Sequence, residues 1–96
     1  MENEKAALRF QLLQIEAQIN AIDAEKRQLE ELIKKLENYE GPLYKMIGRL
    51  MIETNKEETI KELQEDLEFL ETRRKILENQ KTKIENMMKD ETSNKS

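Results

Sequence analysis

Two stretches of heptad-spaced apolar residues, separated by a segment that holds the chain's only proline, constrain this fold more than any other feature. In the first stretch the apolar residues recur at spacings that alternate between four and three. Such a period of about 3.5 residues predicts the seam of a coiled coil. The first seam, interrupted only by Lys26, consists of Leu8, Leu12, Ile15, Ile19, Ile22, Leu29, Ile33 and Leu36.

A second seam with the same period follows the proline-containing connector. Arg74 and Lys81 occupy two of its in-phase positions, and the other positions are apolar. The apolar members are Ile60, Leu63, Leu67, Leu70, Leu77, Ile84 and Met88.

The two seams match each other when the chain folds back near residue 48. Seam partners then have numbers that add up to 96, so that Leu36 lies beside Ile60 and Lys26 lies opposite Leu70. No pair of facing seam residues contains two charges. The aliphatic parts of the lysine and arginine side chains can cross the seam while their charged ends stay in water. We therefore predict an antiparallel coiled coil within one chain. A parallel dimer of broken helices is the alternative.

The composition favours long helices over a compact globule, because 40% of the residues are charged and only 4% are aromatic. The net charge of -4, with both signs interspersed, argues against a nucleic-acid-binding face. The chain has no histidine or cysteine, so the commonest general base, the thiol nucleophiles and most transition-metal sites are excluded. We expect no enzymatic activity and no cofactor or metal.

No apolar run reaches the roughly 18 residues that a membrane-spanning helix needs. The N-terminal residues are too polar for a secretory signal. We therefore expect a cytoplasmic protein that binds no membrane.

Helix stop and start signals flank the connector. Gly41 and Pro42 end the first helix, since glycine caps it and proline cannot continue it. Thr54 or Asn55, with glutamates three residues further on, restarts a helix through a capping box. The chain is predicted to be a single domain, 1–96. Its parts are a first helix at about 4–39, a β-hairpin at about 43–54, a second helix at about 56–89 and a disordered tail at 90–96.

The connector predicts two short strands, near Leu43–Ile47 and Leu50–Thr54, that turn at Gly48 and Arg49. An isolated two-stranded β-hairpin is only marginally stable in water, and both of its edges lack hydrogen-bonding partners. Apolar residues also fall on both faces of it. We therefore predict that the hairpin completes an oligomeric β-sheet or β-barrel with other chains. The predicted oligomerisation residues are Leu43, Tyr44, Met46, Ile47, Gly48, Leu50, Met51 and Ile52.

The connector between two coiled-coil arms resembles that of the prefoldin family, and specifically its β class. The shared pattern over 44–53 is aromatic, basic, any residue, aliphatic, glycine, any residue and three aliphatics, followed by Glu53. The run from Tyr44 to Gly48 is most similar to the eukaryotic subunit-2 type, with archaeal β subunits close behind. Arg49 departs from the family, which commonly has a second glycine or a small residue there.

The resemblance implies a subunit of a heterohexameric co-chaperone, in which two α-class and four β-class subunits join their hairpins in a double β-barrel. The coiled coils hang from this body as tentacles. They capture unfolded polypeptides, such as actin and tubulin, without ATP and pass them to a group II cytosolic chaperonin.

The tentacle ends here carry apolar residues beyond the seam, and methionine and phenylalanine suit adaptable contacts with unfolded chains. The simpler interpretation is that they only thicken the end of the seam. The alternative function is a structural or adaptor coiled coil that acts by homo- or hetero-oligomerisation. The candidate client-binding residues are Leu8, Phe10, Leu12, Leu13, Ile84, Met87 and Met88.

Overall fold

The computed structural model describes residues 2–93, and the side chains of residues 3–89. Two long helices are joined by a two-stranded antiparallel hairpin, which confirms the predicted fold class. The molecule measures 66 × 26 × 15 Å. In chain order the elements are α1 (Glu2–Glu37), β1 (Leu43–Ile47), β2 (Leu50–Thr54) and α2 (Lys56–Ser93).

The helix ends are set by local capping. Helix α1 ends at Glu37, two residues before the predicted end, where the Asn38 side chain donates a hydrogen bond to the Lys34 carbonyl (3.4 Å). Helix α2 begins where Asn55 Oδ1 accepts a hydrogen bond from the Glu58 amide (2.8 Å). An asparagine at this position satisfies an amide that has no partner within the helix.

Helix α2 continues through Ser93, four residues into the stretch 90–96 for which a disordered tail was predicted. Residues 94–96 of that stretch lie outside the described residues. At the other end of the coil, Lys56 Nζ donates a hydrogen bond to the Glu37 carbonyl (3.0 Å). This contact links the beginning of α2 to the end of α1. It is favourable because the C-terminus of a helix carries a partial negative charge, which attracts a cation.

The core is a narrow seam between the two helices rather than a compact centre. Leu8, Leu12, Leu29 and Met88 are partly buried and pack against its main cluster. No polar or charged side chain is buried among those described. The buried apolar residues are Ile15, Ile19, Ile22, Ile33, Leu36, Leu70, Leu77 and Ile84.

The hairpin closes with a two-residue turn, since Ile47 pairs directly with Leu50. Gly48 has a φ of 60°, and no other described residue has a positive φ. A glycine with this φ at the first central position is typical of a type II′ turn, whose twist suits the two strands. Arg49 therefore needs no left-handed backbone, which explains how the chain dispenses with a second glycine there.

Between residues 2 and 93 neither helix has a stretch apolar enough to cross a membrane.

Candidate interaction surfaces

The β-hairpin has one side turned towards the coil and one turned away from it. Lys45 Nζ lies 2.8 Å from Glu62 Oε1 of α2, so the side that carries Lys45 faces the coil. The hydrogen bond from Lys45 to Glu62, together with their attraction, raises the pKa of the lysine. Directly paired residues share a side. The coil-facing side carries Leu43, Lys45, Ile47, Leu50, Ile52 and Thr54, and the outer side carries Tyr44, Met46, Met51 and Glu53.

Both sides of the hairpin expose large apolar side chains. Met51 on the outer side is 68% exposed, and Leu50 on the coil-facing side is 67% exposed. Each strand has a single hydrogen-bonded neighbour, which leaves one open edge on each. A contiguous apolar patch with open edges marks a surface for protein association. The exposed apolar residues are Tyr44, Met46, Ile47, Leu50, Met51 and Ile52, whereas Leu43 is half-buried.

At the opposite end of the coil, the seven predicted client-binding residues divide into two groups. Three of them are more than half exposed: Phe10, Leu13 and Met87. The other four belong to the seam: Leu8, Leu12, Ile84 and Met88. Of these Ile84 is buried, so it supports the coil and is not available for contact while the coil is intact.

The charged seam residues form ion pairs with the opposite helix. Arg74 Nε donates to Asp23 Oδ1 at 2.7 Å, and Lys26 pairs with Glu71. At the third charged position of the seam, Lys81 Nζ lies 3.8 Å from Glu16 Oε1. From the sequence, these cationic ends were predicted to lie in water. The structure instead places a carboxylate of the facing helix one position beside the seam, within reach of each long side chain. We call this side of the coil the ion-pair side.

The ion pair between Asp23 and Arg74 predicts a pH-dependent contribution to stability. The hydrogen bond from Arg74 lowers the pKa of Asp23. A carboxylate with a lowered folded-state pKa stabilises the fold above its unfolded pKa of about 3.9, and this contribution is lost as the pH falls through the folded value. We expect Asp23→Asn to lower the thermal midpoint at pH 7 and to leave it unchanged near pH 2.

This prediction is measured by circular dichroism at one fixed protein concentration, because association also shifts the midpoint. Glu31→Gln, on the outer face of α1, is the matched control. If Asp23→Asn had an equal effect at both pH values, the pH-dependent stability could not be attributed to the ion pair between Asp23 and Arg74.

The other side of the coil contains a groove between the helices, which we call the amide groove. Its floor is formed by Ile15 and Ile84, which are buried. Within residues 2–93, no three acidic side chains cluster as ligands of a metal ion would. The walls of the amide groove are Gln11, Gln14 and Gln18 of α1 and Gln80, Lys83 and Met87 of α2.

Two exposed apolar residues of α2 were not among the interaction residues predicted from the sequence. Phe69 and Ile76 are 64% and 53% exposed. They lie one heptad apart and each directly precedes a seam residue, which is the pattern that would have identified them.

An antiparallel coiled coil whose bend carries an incomplete β-ribbon defines a class of proteins that assemble through shared β-structure. The family described as "Prefoldin subunit" matches residues 1–94. The chain belongs to the prefoldin family, and the predicted β class is confirmed by the relatives and by the structural match.

Several β subunits show the extent of the similarity. The chain is 34% identical over 83 residues to prefoldin subunit beta of Archaeoglobus fulgidus, covering 77% of this chain and 72% of the relative. It is 31% identical over 98 residues to that of Pyrococcus horikoshii, covering 82% and 84%. The crystal structure of the prefoldin beta subunit from Thermococcus strain KS-1 superposes with a TM-score of 0.89 at 26% identity, covering 98% of this chain and 84% of that one.

Membership identifies the chain as a subunit of a prefoldin chaperone, and prefoldin subunits form hexamers with one another. The family consists of non-enzymatic chaperone subunits. The specific likeness to the eukaryotic subunit-2 type stays a prediction.

Proposed function

We propose that this chain is one of four β-class subunits that join two α-class subunits in a cytoplasmic prefoldin hexamer. The hexamer captures unfolded polypeptides, such as actin and tubulin, at the free ends of its coiled coils. It then passes them to a group II chaperonin without using ATP. The observation that carries this proposal is the exposed apolar surface on both sides of the hairpin, at the end of the coil opposite the candidate tip.

The hairpin supports the assembly part of the proposal. A single chain leaves six large apolar side chains and two strand edges in water. Burial of such side chains contributes about 1.5–3 kcal/mol each. Neighbouring hairpins that closed a barrel would pair both edges and bury the side chains that face the barrel interior, whereas a protein covering one side alone would leave the edges open.

The free end of the coil supports the capture part. Phe10, Leu13 and Met87 are more than half exposed in the single chain. Met87 lines the amide groove, whereas Phe10 and Leu13 lie outside it. The end of the coil therefore presents apolar side chains in more than one direction, which suits contact with unfolded chains of varied sequence.

The test replaces Phe10, Leu13 and Met87 with serine in the assembled hexamer. Each half-exposed side chain contributes about 1 kcal/mol when it becomes buried against a client. We expect the triple variant to need at least about tenfold more hexamer to suppress the aggregation of a chemically unfolded protein. Light scattering measures the aggregation, and native mass spectrometry checks that the hexamer is intact.

The matched control replaces three exposed apolar residues away from the tip and the hairpin: Leu32, Phe69 and Ile76. Both triple variants carry the same number of serines in helices, so both incur a similar loss of helix propensity. Undiminished suppression by the tip variant, or an equal loss in the control, would count against capture at the tip.

A further inference from the structure

The two connections between the coil and the hairpin differ in length. Helix α1 ends at Glu37 and β1 begins at Leu43, so residues 38–42 separate them. On the other side β2 ends at Thr54, and only Asn55 precedes α2. Each further residue in a connection adds rotatable backbone bonds. The orientation of the hairpin relative to the coil therefore depends on what holds the longer connection in place.

Tyr39 bridges this longer connection. Its amide donates a hydrogen bond to the Leu36 carbonyl (3.1 Å), in the last turn of α1. Its hydroxyl donates a hydrogen bond to the Pro42 carbonyl (3.1 Å), directly before β1. The proline itself adds stiffness, because its ring fixes φ. One residue thus holds the end of the helix with its backbone and the beginning of the strand with its side chain.

Gly41 leaves the space that the tyrosine ring needs. It has no positive φ, so its backbone conformation does not require glycine. A methyl group on Gly41, however, would overlap the ring and the hydroxyl of Tyr39. The close approach of this ring to the backbone therefore explains the glycine, rather than a left-handed helix cap.

The ion pair between Lys45 and Glu62 is a second link between the hairpin and the coil. Both of these side chains are about half exposed, and an exposed ion pair contributes little to stability. The link through Tyr39 acts closer to the point where the hairpin leaves α1. Its ring also excludes alternative positions of the connection, which a flexible lysine side chain does not.

We propose that Tyr39, lying against Gly41, is a positioning residue that fixes the orientation of the β-hairpin relative to the coiled coil. In an assembly joined by hairpins, this orientation sets the direction in which the coil leaves the body. The orientation itself is a property of the single chain. Its consequence for the direction of the coil rests on the proposed hexamer.

The test measures the distance between two spin labels by double electron–electron resonance. The labels are attached to cysteines that replace Arg49, in the turn of the hairpin, and Glu65, at an exposed position of α2. The chain has no cysteine of its own, so only these two positions react. A large excess of unlabelled chain keeps the measured distances within one molecule. We predict one narrow distance peak, both for the chain alone and for the hexamer with an α-class partner.

Tyr39→Phe keeps the ring and removes the hydroxyl. We expect it to raise the fraction of molecules outside the main peak by about twofold to tenfold, the equilibrium shift that corresponds to one neutral hydrogen bond. Glu40→Gln is the matched control, because its side chain lies in the same connection and is 92% exposed. The urea midpoint of both variants should equal that of wild type, since neither substitution touches the seam.

A double-mutant cycle separates the steric role of Gly41 from a general effect on the backbone. Gly41→Ala displaces the ring and should broaden the peak when Tyr39 is present. In the Tyr39→Ala background there is no ring to displace. The added alanine, which restricts the backbone, should then leave the distribution unchanged or narrow it.

Broadening by Gly41→Ala in both backgrounds, or a Tyr39→Phe distribution identical to that of wild type, would overturn the proposal. Native mass spectrometry checks that the labelled chain joins the hexamer. If wild type forms no hexamer, the proposed assembly fails, and the distances measured in the single chain decide the role of Tyr39 on their own.

Discussion

We expect Met46→Glu combined with Met51→Glu to prevent assembly with other prefoldin subunits while both helices remain folded. The two methionines are paired directly across the strands, and both are exposed in the single chain. In an assembly each would contribute about 1.5–3 kcal/mol by burial. Two carboxylates in their place also repel each other and lose hydration at the interface. Together these effects weaken each hairpin contact by at least about a thousandfold.

Size-exclusion chromatography with light scattering, on a mixture with an α-class subunit, measures this effect. The matched control is Phe69→Glu combined with Ile76→Glu, which adds the same charge at exposed apolar sites on α2. Retained helical circular dichroism shows that the hairpin variant is folded. Normal assembly of this variant would contradict a role for the outer side of the hairpin.

The second large effect is expected at Ile22, the most buried residue of the seam at 3% exposure. Ile22→Ala removes apolar contacts with the core cluster and leaves a cavity, which costs about 2–4 kcal/mol. That is a large share of the stability of any small domain, and a narrow seam has few other contacts to compensate. We expect the urea midpoint to fall at constant protein concentration.

Ile76→Ala is the control, because Ile76 is exposed on the same coil and loses the same atoms. Its effect should stay within about 0.5 kcal/mol. Equal destabilisation by the two substitutions would contradict the placement of Ile22 in the buried seam and of Ile76 outside it.

The seam and the hairpin could be predicted because each rests on a local or periodic signal. The heptad spacing set the antiparallel register, and Gly48 marked where the strands turn. Gly41 and Pro42 were predicted to end the first helix, but α1 ends at Glu37 and Gly41 lacks the positive φ of a left-handed cap. The exact ends of the helices were less predictable, because neighbouring residues can each serve as the cap of the same helix. Asn55 rather than Thr54 caps α2, and Asn38 lies just beyond α1.

The ion pairs and the exposed end of the coil were harder to predict. Lys26, Arg74 and Lys81 were correctly placed in the seam, but their partners depend on how far a long side chain reaches towards the next position. The heptad spacing placed Ile84 in the seam and Met87 beside it, yet both were predicted to bind clients; in the structure Ile84 is buried and Met87 is exposed. The two sides of the coil differ in heptad position: the walls of the amide groove precede seam positions, and the carboxylates of the ion-pair side follow them.

Native mass spectrometry of this chain, mixed with an α-class prefoldin subunit, tests the central claim most directly, that the chain acts as one part of an assembly joined by hairpins. We predict a hexamer with four copies of this chain and two of the partner, and its loss when residues 43–54 are replaced by a glycine–serine linker. A monomer that remains alone in the mixture would contradict the claim. So would a homodimer that persists without the hairpin, as expected of an adaptor coiled coil.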